Sequence, residues 1–404
     1  MDIQNIRAQF PILARKVNNK ALVYFDNGAS TQKPQSVMDA ISEYYSDINS
    51  NVHRGVHKLS QLATDAFEEA RMSIKDYIGA ASIKEVIITK GTTESINLLA
   101  WSFGEAFINE GDEIIVSEME HHANIVPWQL LCERKKAILK VIPVDDNGEL
   151  EMDAFDQLLS KNTKLVSIAH VSNTLGTVNP IETIIEKTHR NGAKIHIDGA
   201  QAVAHTPLNM QALDVDYYSF SAHKMYGPMG VGVFYGKEEL LNAMPPYQSG
   251  GEMIDQVSFA KTTFSELPFK FEAGTPNVGG VLGLKAAIGF IQNLGVENIA
   301  QTEDELLAYA TEKMESIPGL RIIGKAKNKA SVISFLLDGI HPFDAGTIID
   351  QLGVAVRTGN HCAQPIMDKM GIPGTIRASF ALYNTKDEID IFIAAIKKTQ
   401  EMFA

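Results

Sequence analysis

Lys224, Asp198, His121, Cys362 and the run Gly91-Thr92-Thr93 carry more chemistry than packing requires. A lysine amine condenses with carbonyl compounds, and a buried carboxylate demands a cationic or N–H partner. An imidazole supplies a flat face and a proton site near neutrality, and a small-residue helix start offers backbone N–H groups and hydroxyls to a phosphate. Taken singly, each has a plainer reading: Gly91-Thr92-Thr93 as an N-cap, Asp198 as a cap for the next helix, His121 as a hydrogen-bonded structural residue, Lys224 as a solvated charge. Their positions along the chain argue for a joint role.

From about residue 86 to residue 235, short apolar runs alternate with loops and longer stretches of helical spacing. The spacing predicts strands at 85–89, 113–117, 164–169, 194–198, 216–221 and 231–235. Near-continuous apolar strands separated by helices imply an α/β fold with a mostly parallel central sheet covered by helices. Residues 251–280 read as loop-rich connections and helical spacing resumes over 281–294. Strand-like runs at 330–337 and 354–357 between amphipathic stretches suit a smaller α+β C-terminal domain. The expected organisation is a large cofactor-binding domain over 21–285, with a small domain, built from 1–20 plus 286–404, that carries the Cys362 loop. In such sheets ligands bind beyond the carboxyl ends of the strands. There stand Gly91-Thr92-Thr93, Glu120-His121-His122, His170-Val171-Ser172-Asn173, Asp198-Gly199-Ala200-Gln201 and Ala222-His223-Lys224. A Schiff-base lysine, a carboxylate for a pyridinium nitrogen, a flat imidazole and a phosphate cradle on one rim describe a site for pyridoxal 5′-phosphate (PLP).

Composition narrows the alternatives. The 404 residues are 45% hydrophobic and 21% charged, enough apolar mass for a packed core and too little bias for disorder. With 36 basic and 49 acidic residues the formal charge is −13, a surface that repels phosphate backbones and anionic lipid, so neither nucleic acid nor membrane is expected as a partner. Cys132 and Cys362 are the only cysteines, too few for a disulfide framework or a cysteine-built metal site. No metal is expected, because His121 and His122 are adjacent and cannot both point into one site. The opening Met1-Asp2-Ile3-Gln4-Asn5-Ile6-Arg7 is not a basic segment leading into an apolar one, and no apolar run approaches the ~18 residues that span a bilayer. The expectation is a cytoplasmic protein. Cys132, in a helical stretch over 128–133, reads as core filler, whereas Cys362 sits in a polar, glycine-containing loop over 357–365 that suits a reactive thiol.

Five segments, Thr92-Thr93, His121-His122-Ala123-Asn124, Asp198-Gly199-Ala200-Gln201, Ser221-Ala222-His223-Lys224 and Arg357-Thr358-Gly359-Asn360-His361-Cys362-Ala363, resemble in order and spacing the SUF-type (group II) cysteine desulfurases. These are also described as selenocysteine lyases and belong to the class V branch of the fold-type I PLP enzymes. The resemblance runs from about Phe10 to the C-terminus. It implies conversion of L-cysteine to L-alanine with sulfur left on an enzyme cysteine as a persulfide that supplies iron–sulfur cluster assembly, and L-selenocysteine as a further substrate. It also implies that Lys224 holds PLP as an internal aldimine and then moves the substrate α-proton, while Asp198 pairs with the pyridinium nitrogen. His121 would stack on the ring, Gln201 would reach its phenolic oxygen, and Asn173 would contact the cofactor or the substrate carboxylate. Thr93, Ser221 and His223 would hold the phosphate in the cradle that Thr92 opens, joined across a homodimer by Thr275. Arg377 would grip the substrate carboxylate, with His53, Arg54 and Arg357 as further candidates for the cleft. Cys362 would attack the activated sulfur, and a SufE- or SufU-like acceptor protein would carry it away.

Two positions depart from the pattern: Ala222 stands where relatives commonly carry glycine, and Asn360 where they often carry a second histidine, which leaves the pH response of Cys362 open. Another class V PLP enzyme, an aminotransferase or a kynureninase-like hydrolase, would keep Lys224 and Asp198 without requiring Cys362. A nicotinamide-dependent dehydrogenase is disfavoured, because Gly230-Val231-Gly232-Val233-Phe234-Tyr235-Gly236 has the wrong third spacing and does not open the first β-α unit.

Overall fold

A computed structural model describes residues 2–403. The apolar runs become strands Val86–Thr89, Glu113–Ser117, Thr163–Ala169, Lys194–Asp198, Tyr217–Ser221 and Gly232–Gly236, almost wholly buried because helices cover both faces of their sheet. A seventh strand, Ile138–Ile142, lies at the sheet edge, where half its pattern is exposed and Lys140 interrupts the apolar run, so the sequence reading leaves it out. In spatial order the strands are Val86–Thr89, Gly232–Gly236, Tyr217–Ser221, Lys194–Asp198, Thr163–Ala169, Glu113–Ser117 and Ile138–Ile142. From Tyr217–Ser221 to Ile138–Ile142 all pairs are parallel, and Gly232–Gly236 is antiparallel to both neighbours. Parallel pairing brings the carboxyl ends to one edge, with Ala169 level with Asp198 and Asp198 level with Ser219. Gly232 passes Gly91 so closely that a Cβ on Gly232 would stand 2.4 Å from the Gly91 Cα, so the strand start seats directly on the turn that opens helix Thr92–Phe107.

The C-terminal part builds a second, antiparallel sheet in the order Leu320–Ile323, Val332–Leu337, Thr375–Ser379 and Arg357–Gly359. Phe335, Ile376, Phe392 and Ile396 form its core together with Val23 and Phe25 from the N-terminal region. The predicted run at 354–357 divides: Val354–Ala355 pairs in parallel with Val23–Tyr24, and Arg357–Gly359 joins the sheet. Phe10 packs against Tyr226, Phe290 and Tyr383 in the core beneath the large sheet. The loop-rich stretch over 251–280 contains a two-stranded pair, Ile254–Val257 with Thr262–Phe264, mostly exposed and therefore without a burial pattern to announce it. Among the described residues no single helix is long and apolar enough to cross a membrane.

Helix Lys58–Ile78 is fastened by Arg71, whose side chain is completely buried. Its Nη1 and Nη2 donate to the Glu272 carboxylate at 2.6 and 2.9 Å, Nε donates to Glu68 at 3.0 Å, and Nη1 also reaches the Val86 carbonyl at 3.0 Å. Removing one partner of such a pair leaves an uncompensated buried charge. Arg71→Leu is expected to lower the unfolding free energy by about 3–5 kcal/mol. Urea denaturation measures it, and a loss under about 1 kcal/mol, the usual worth of an exposed pair, would contradict the anchoring role.

Candidate active site

The strand ends and the second sheet enclose a cleft of about 200 Å³. Thr92, Thr93, His121, Asn173, Asp198, Gln201, Ser221, His223, Lys224, Arg357, Cys362 and Arg377 all line it. His53, Arg54 and Thr275 do not line it within this chain. His53 Nε2 pairs with Glu68 at 2.9 Å, Arg54 Nε with Glu252 at 3.0 Å, and Thr275 lines a separate cavity with Lys90, Glu94 and Gln248.

One end of the cleft is built for an anion. Helix Thr92–Phe107 starts at Gly91 without a side-chain cap, so its positive dipole end and N–H groups face the rim. The Thr92 N–H donates to Ser221 Oγ at 2.8 Å, and the Thr92 and Ser221 hydroxyls are also 2.8 Å apart, which locks the helix start to the end of strand Tyr217–Ser221. His223 Nδ1 is buried with no hydrogen-bond partner, and burial pushes this imidazole down to about 4, with Lys224 and Lys33 acting the same way. A neutral ring with an orphaned nitrogen beside an uncapped helix end asks for a ligand oxygen.

The middle of the cleft suits a protonated heterocycle. Asp198 is 6% exposed, its Oδ1 accepts the Ala200 N–H at 2.9 Å, and burial pushes its carboxyl up against the opposing pull of Lys224. A buried carboxylate with one N–H donor has capacity for another. Gly199 is required in this turn: a Cβ there would stand 2.0 Å from the Tyr218 ring, whose hydroxyl lies 3.0 Å from His170 Nδ1. Burial lowers the Lys224 ammonium to about 8, partly offset by Asp198, while Arg377 and Arg357 push it the same way as burial. His121 Nδ1 accepts the Ala123 N–H at 3.0 Å, which assigns the ring proton to Nε2, and burial pushes this imidazole down to about 3. Lysine, carboxylate, imidazole and anion cradle thus fit PLP, which the chain's own unpaired groups could hold at both its ring nitrogen and its phosphate.

At the other end Arg377, 2% exposed, donates from Nη1 to the Asn173 carbonyl at 2.9 Å and from Nη2 to Asp26 at 3.1 Å, and its Nε is buried without a partner. That free donor suits a carboxylate ligand. Cys362 and His361 both adopt left-handed backbone angles, φ +57° and +51°, conformations that cost on the order of 1–3 kcal/mol each for non-glycine residues. Asn360 holds the turn by accepting the Cys362 N–H at 3.1 Å, Asn173 Nδ2 donates to the His361 carbonyl at 2.7 Å, and His361 Nε2 lies 2.8 Å from Thr375 Oγ1. At this position the chain therefore uses an amide as a turn brace. Cys132, by contrast, is buried and its thiol is pushed up to about 11, an unreactive core residue as its helical setting predicts.

The roles of Glu120 and Asp26 as positioning groups escape the sequence reading. Glu120, fully buried and pushed up to about 7 by burial, accepts from Ser117 Oγ (2.6 Å), Asn124 Nδ2 (2.7 Å) and the Ala169 N–H (2.9 Å), and so shapes the turn that presents His121. Asn124 also links through Ser167 (2.6 Å) to His196, whose ring nitrogens lie 2.8 and 2.9 Å from the hydroxyls of Ser167 and Ser219. Asp26, which neutralises Arg377, follows an apolar run and precedes Asn27-Gly28, the same strand-end signal that marks the other site segments.

His196 yields a pH prediction. Burial holds its folded pKa near about 3, below the 6.5 of an exposed imidazole, so between those values the unfolded chain binds the proton and the folded one does not. Its contribution is whole above about pH 6.5 and is lost toward about pH 3, at up to roughly 1.4 kcal/mol per pH unit. His196→Asn is expected to be less stable at neutral pH and to show a flatter pH dependence in the acid range. Denaturation midpoints across that range measure it, and a slope equal to that of the unaltered chain would refute the assignment.

Similarity to known proteins agrees with the geometry. Residues 23–392 match the aminotransferase class-V family. A probable cysteine desulfurase of Staphylococcus epidermidis is 52% identical over 404 residues, covering 100% of this chain and 98% of that protein. Probable cysteine desulfurase 1 of Mycobacterium leprae is 50% identical over 400 residues, 99% of this chain, and the chain spans only 66% of that longer protein. The solved structure of the cysteine desulfurase CsdA from Escherichia coli superposes with a TM-score of 0.93 at 37% identity, covering 100% of this chain and 99% of that one. By the family match over residues 23–392, the 52% identity to the Staphylococcus epidermidis protein over nearly its whole length and the superposition on CsdA, the chain belongs to the aminotransferase class-V family of fold-type I PLP proteins and, within it, to the cysteine desulfurases.

Proposed function

We propose that this chain removes sulfur from L-cysteine, releasing L-alanine and retaining the sulfur as a persulfide on Cys362. The observation that carries the reading is the convergence of Lys224, Asp198, the anion cradle and a loop cysteine on one cleft. PLP, when bound, supplies an electron sink that acidifies the substrate α-carbon. Thr93, Ser221 and His223 would hold its phosphate, Asp198 its ring nitrogen and His121 its face, while Arg377 takes the substrate carboxylate. Lys224, with its ammonium brought down to about 8, is suited to take and return a proton near neutrality. The Cys362 thiolate attacks the substrate sulfur: an S–S bond forms, the substrate C–S bond breaks, and the electron pair left on carbon is quenched by a proton as alanine departs.

The same proposal includes a SUF-type enzyme, a sulfurtransferase reaction with a SufE- or SufU-like acceptor, a cytoplasmic setting, activity on L-selenocysteine, His53 and Arg54 near the cleft mouth, and a homodimer in which Thr275 serves the partner's cleft. Support for the dimer is that Thr275 lines a cavity apart from the cleft of its own chain. Light scattering is expected to show a dimer and Thr275→Ala to weaken PLP retention. A fully active monomer would contradict both.

Selenium leaves carbon more readily than sulfur, so only the cysteine reaction should need the thiolate. Cys362→Ser is expected to cut alanine release from L-cysteine by at least about a hundredfold while keeping selenocysteine turnover within about tenfold, and Lys224→Ala to abolish both. Cys132→Ala should change neither. Undiminished cysteine turnover by Cys362→Ser would overturn the proposed role of this residue.

A further inference from the structure

His122 lines no part of the cleft, although it neighbours His121. Its backbone N–H donates to the Cys362 carbonyl at 2.6 Å, and its ring Nε2 accepts the backbone N–H of Gln364 at 3.0 Å. Gln364 opens the short helix Gln364–Lys369, whose preceding residue, Ala363, has no side chain that could cap it, and Pro365 has no N–H. The imidazole therefore serves as a helix cap supplied from a distant segment, and the two grips bracket Cys362 and Ala363. On the other side Asn360 accepts the Cys362 N–H and donates to Gln364 Oε1 at 2.8 Å. Between these braces lie the two left-handed residues His361 and Cys362, a backbone geometry that persists only while its surroundings enforce it.

We propose that His122, as a neutral imidazole, is a positioning residue that holds Cys362 toward the cleft and releases its loop when the ring gains a second proton. The inference rests on the proposed role of Cys362 as the sulfur-attacking group. Because the Gln364 N–H points at Nε2, that nitrogen must present a lone pair, and the ring proton sits on Nδ1. A proton on Nε2 would set two N–H groups against each other and place a positive charge at a helix N-terminus, both unfavourable. The titratable and charged groups on the segments packed here are His121, with its ring centroid 6.3 Å away, Glu118, the buried Glu120, whose carboxyl burial pushes up to about 7, His361, Cys362, Asp368 and Lys369. Lys369 pairs with Glu118 at 3.3 Å and Asp368 accepts from Gln364 Nε2 at 2.7 Å, so neither acid is engaged with the ring.

Amide hydrogen exchange of the holoenzyme tests this over the peptide 360–368, corrected for intrinsic exchange, at about pH 8 and about pH 5. Protection is expected to fall roughly tenfold in acid for the unaltered chain. His122→Gln, whose amide oxygen accepts the Gln364 N–H at either pH, is expected to stay within about twofold of its neutral value, and His122→Ala to be weakly protected at both. Acid-independent protection in the unaltered chain, or the same loss in His122→Gln, would overturn the proposal. Exchange reports the loop whether or not Cys362 carries sulfur, so failure here is distinct from a failure of the desulfurase reading, which the Cys362→Ser turnover decides.

Discussion

One half-buried carboxylate, that of Asp26, allows the two sheets to meet. Strand pairing sets Arg357 directly opposite Arg377, a like-charge placement that is unfavourable by itself. Asp26 stands 3.1 Å from Arg377 and 4.0 Å from Arg357 and balances them, although burial raises its own carboxyl. The segment that carries it is stitched to the strand Thr375–Ser379: the Ser379 N–H donates to Phe25 (2.7 Å), the Gly28 N–H to Ser379 Oγ (2.8 Å) and Asn27 Nδ2 to the Ser379 carbonyl (2.7 Å). With Arg377 also held on the Asn173 carbonyl, the second sheet is docked against the carboxyl ends of the first. Arg357–Gly359 leads straight into the cysteine loop, so the same junction aims Cys362 at the cleft.

Around that junction the protein keeps its imidazoles neutral. His121, His170, His196, His223 and His361 are all pushed below the ordinary range by burial, and each is fixed by geometry or left with a nitrogen to offer. Neutral rings avoid adding positive charge to a cleft that already contains Lys224, Arg357 and Arg377. The exception is His205, which is raised because Glu303 lies 2.9 Å from its Nδ1 and a backbone carbonyl 2.6 Å from its Nε2. Both of its neighbours accept, so a cation is the favoured form there.

Cleft chemistry is thus a consequence of desolvation set against pairing. Asp198 and Lys224 oppose one another across a buried space, each perturbed toward neutrality by burial and toward charge by the other. Three buried nitrogens without partners, His223 Nδ1, His361 Nδ1 and Arg377 Nε, belong to residues that line the same cleft, where bound ligand oxygens would satisfy them.

The strands, their order of appearance and the residues at their carboxyl ends were legible because parallel strands buried on both faces must be apolar runs and because ligand-binding residues follow them. Thr92, His121, Asp198 and Lys224 could be picked out by that rule alone, while the roles of Arg377 and Thr275 rested on family resemblance. The edge strand Ile138–Ile142 and the exposed pair Ile254–Val257 with Thr262–Phe264 were not legible, since partial burial erases the periodicity that marks a strand. Nor could sequence spacing show that Asp26 neutralises Arg377, that Glu120 and His196 brace the His121 turn, or that His122 caps the cysteine-loop helix. Those contacts join residues distant in the chain, and only the packing of one sheet's end against the other brings a donor within reach of its acceptor. What a residue can do chemically is written in its type and its place after a strand, whereas which partner shifts its proton or holds its angle is decided by burial and distance in the folded molecule.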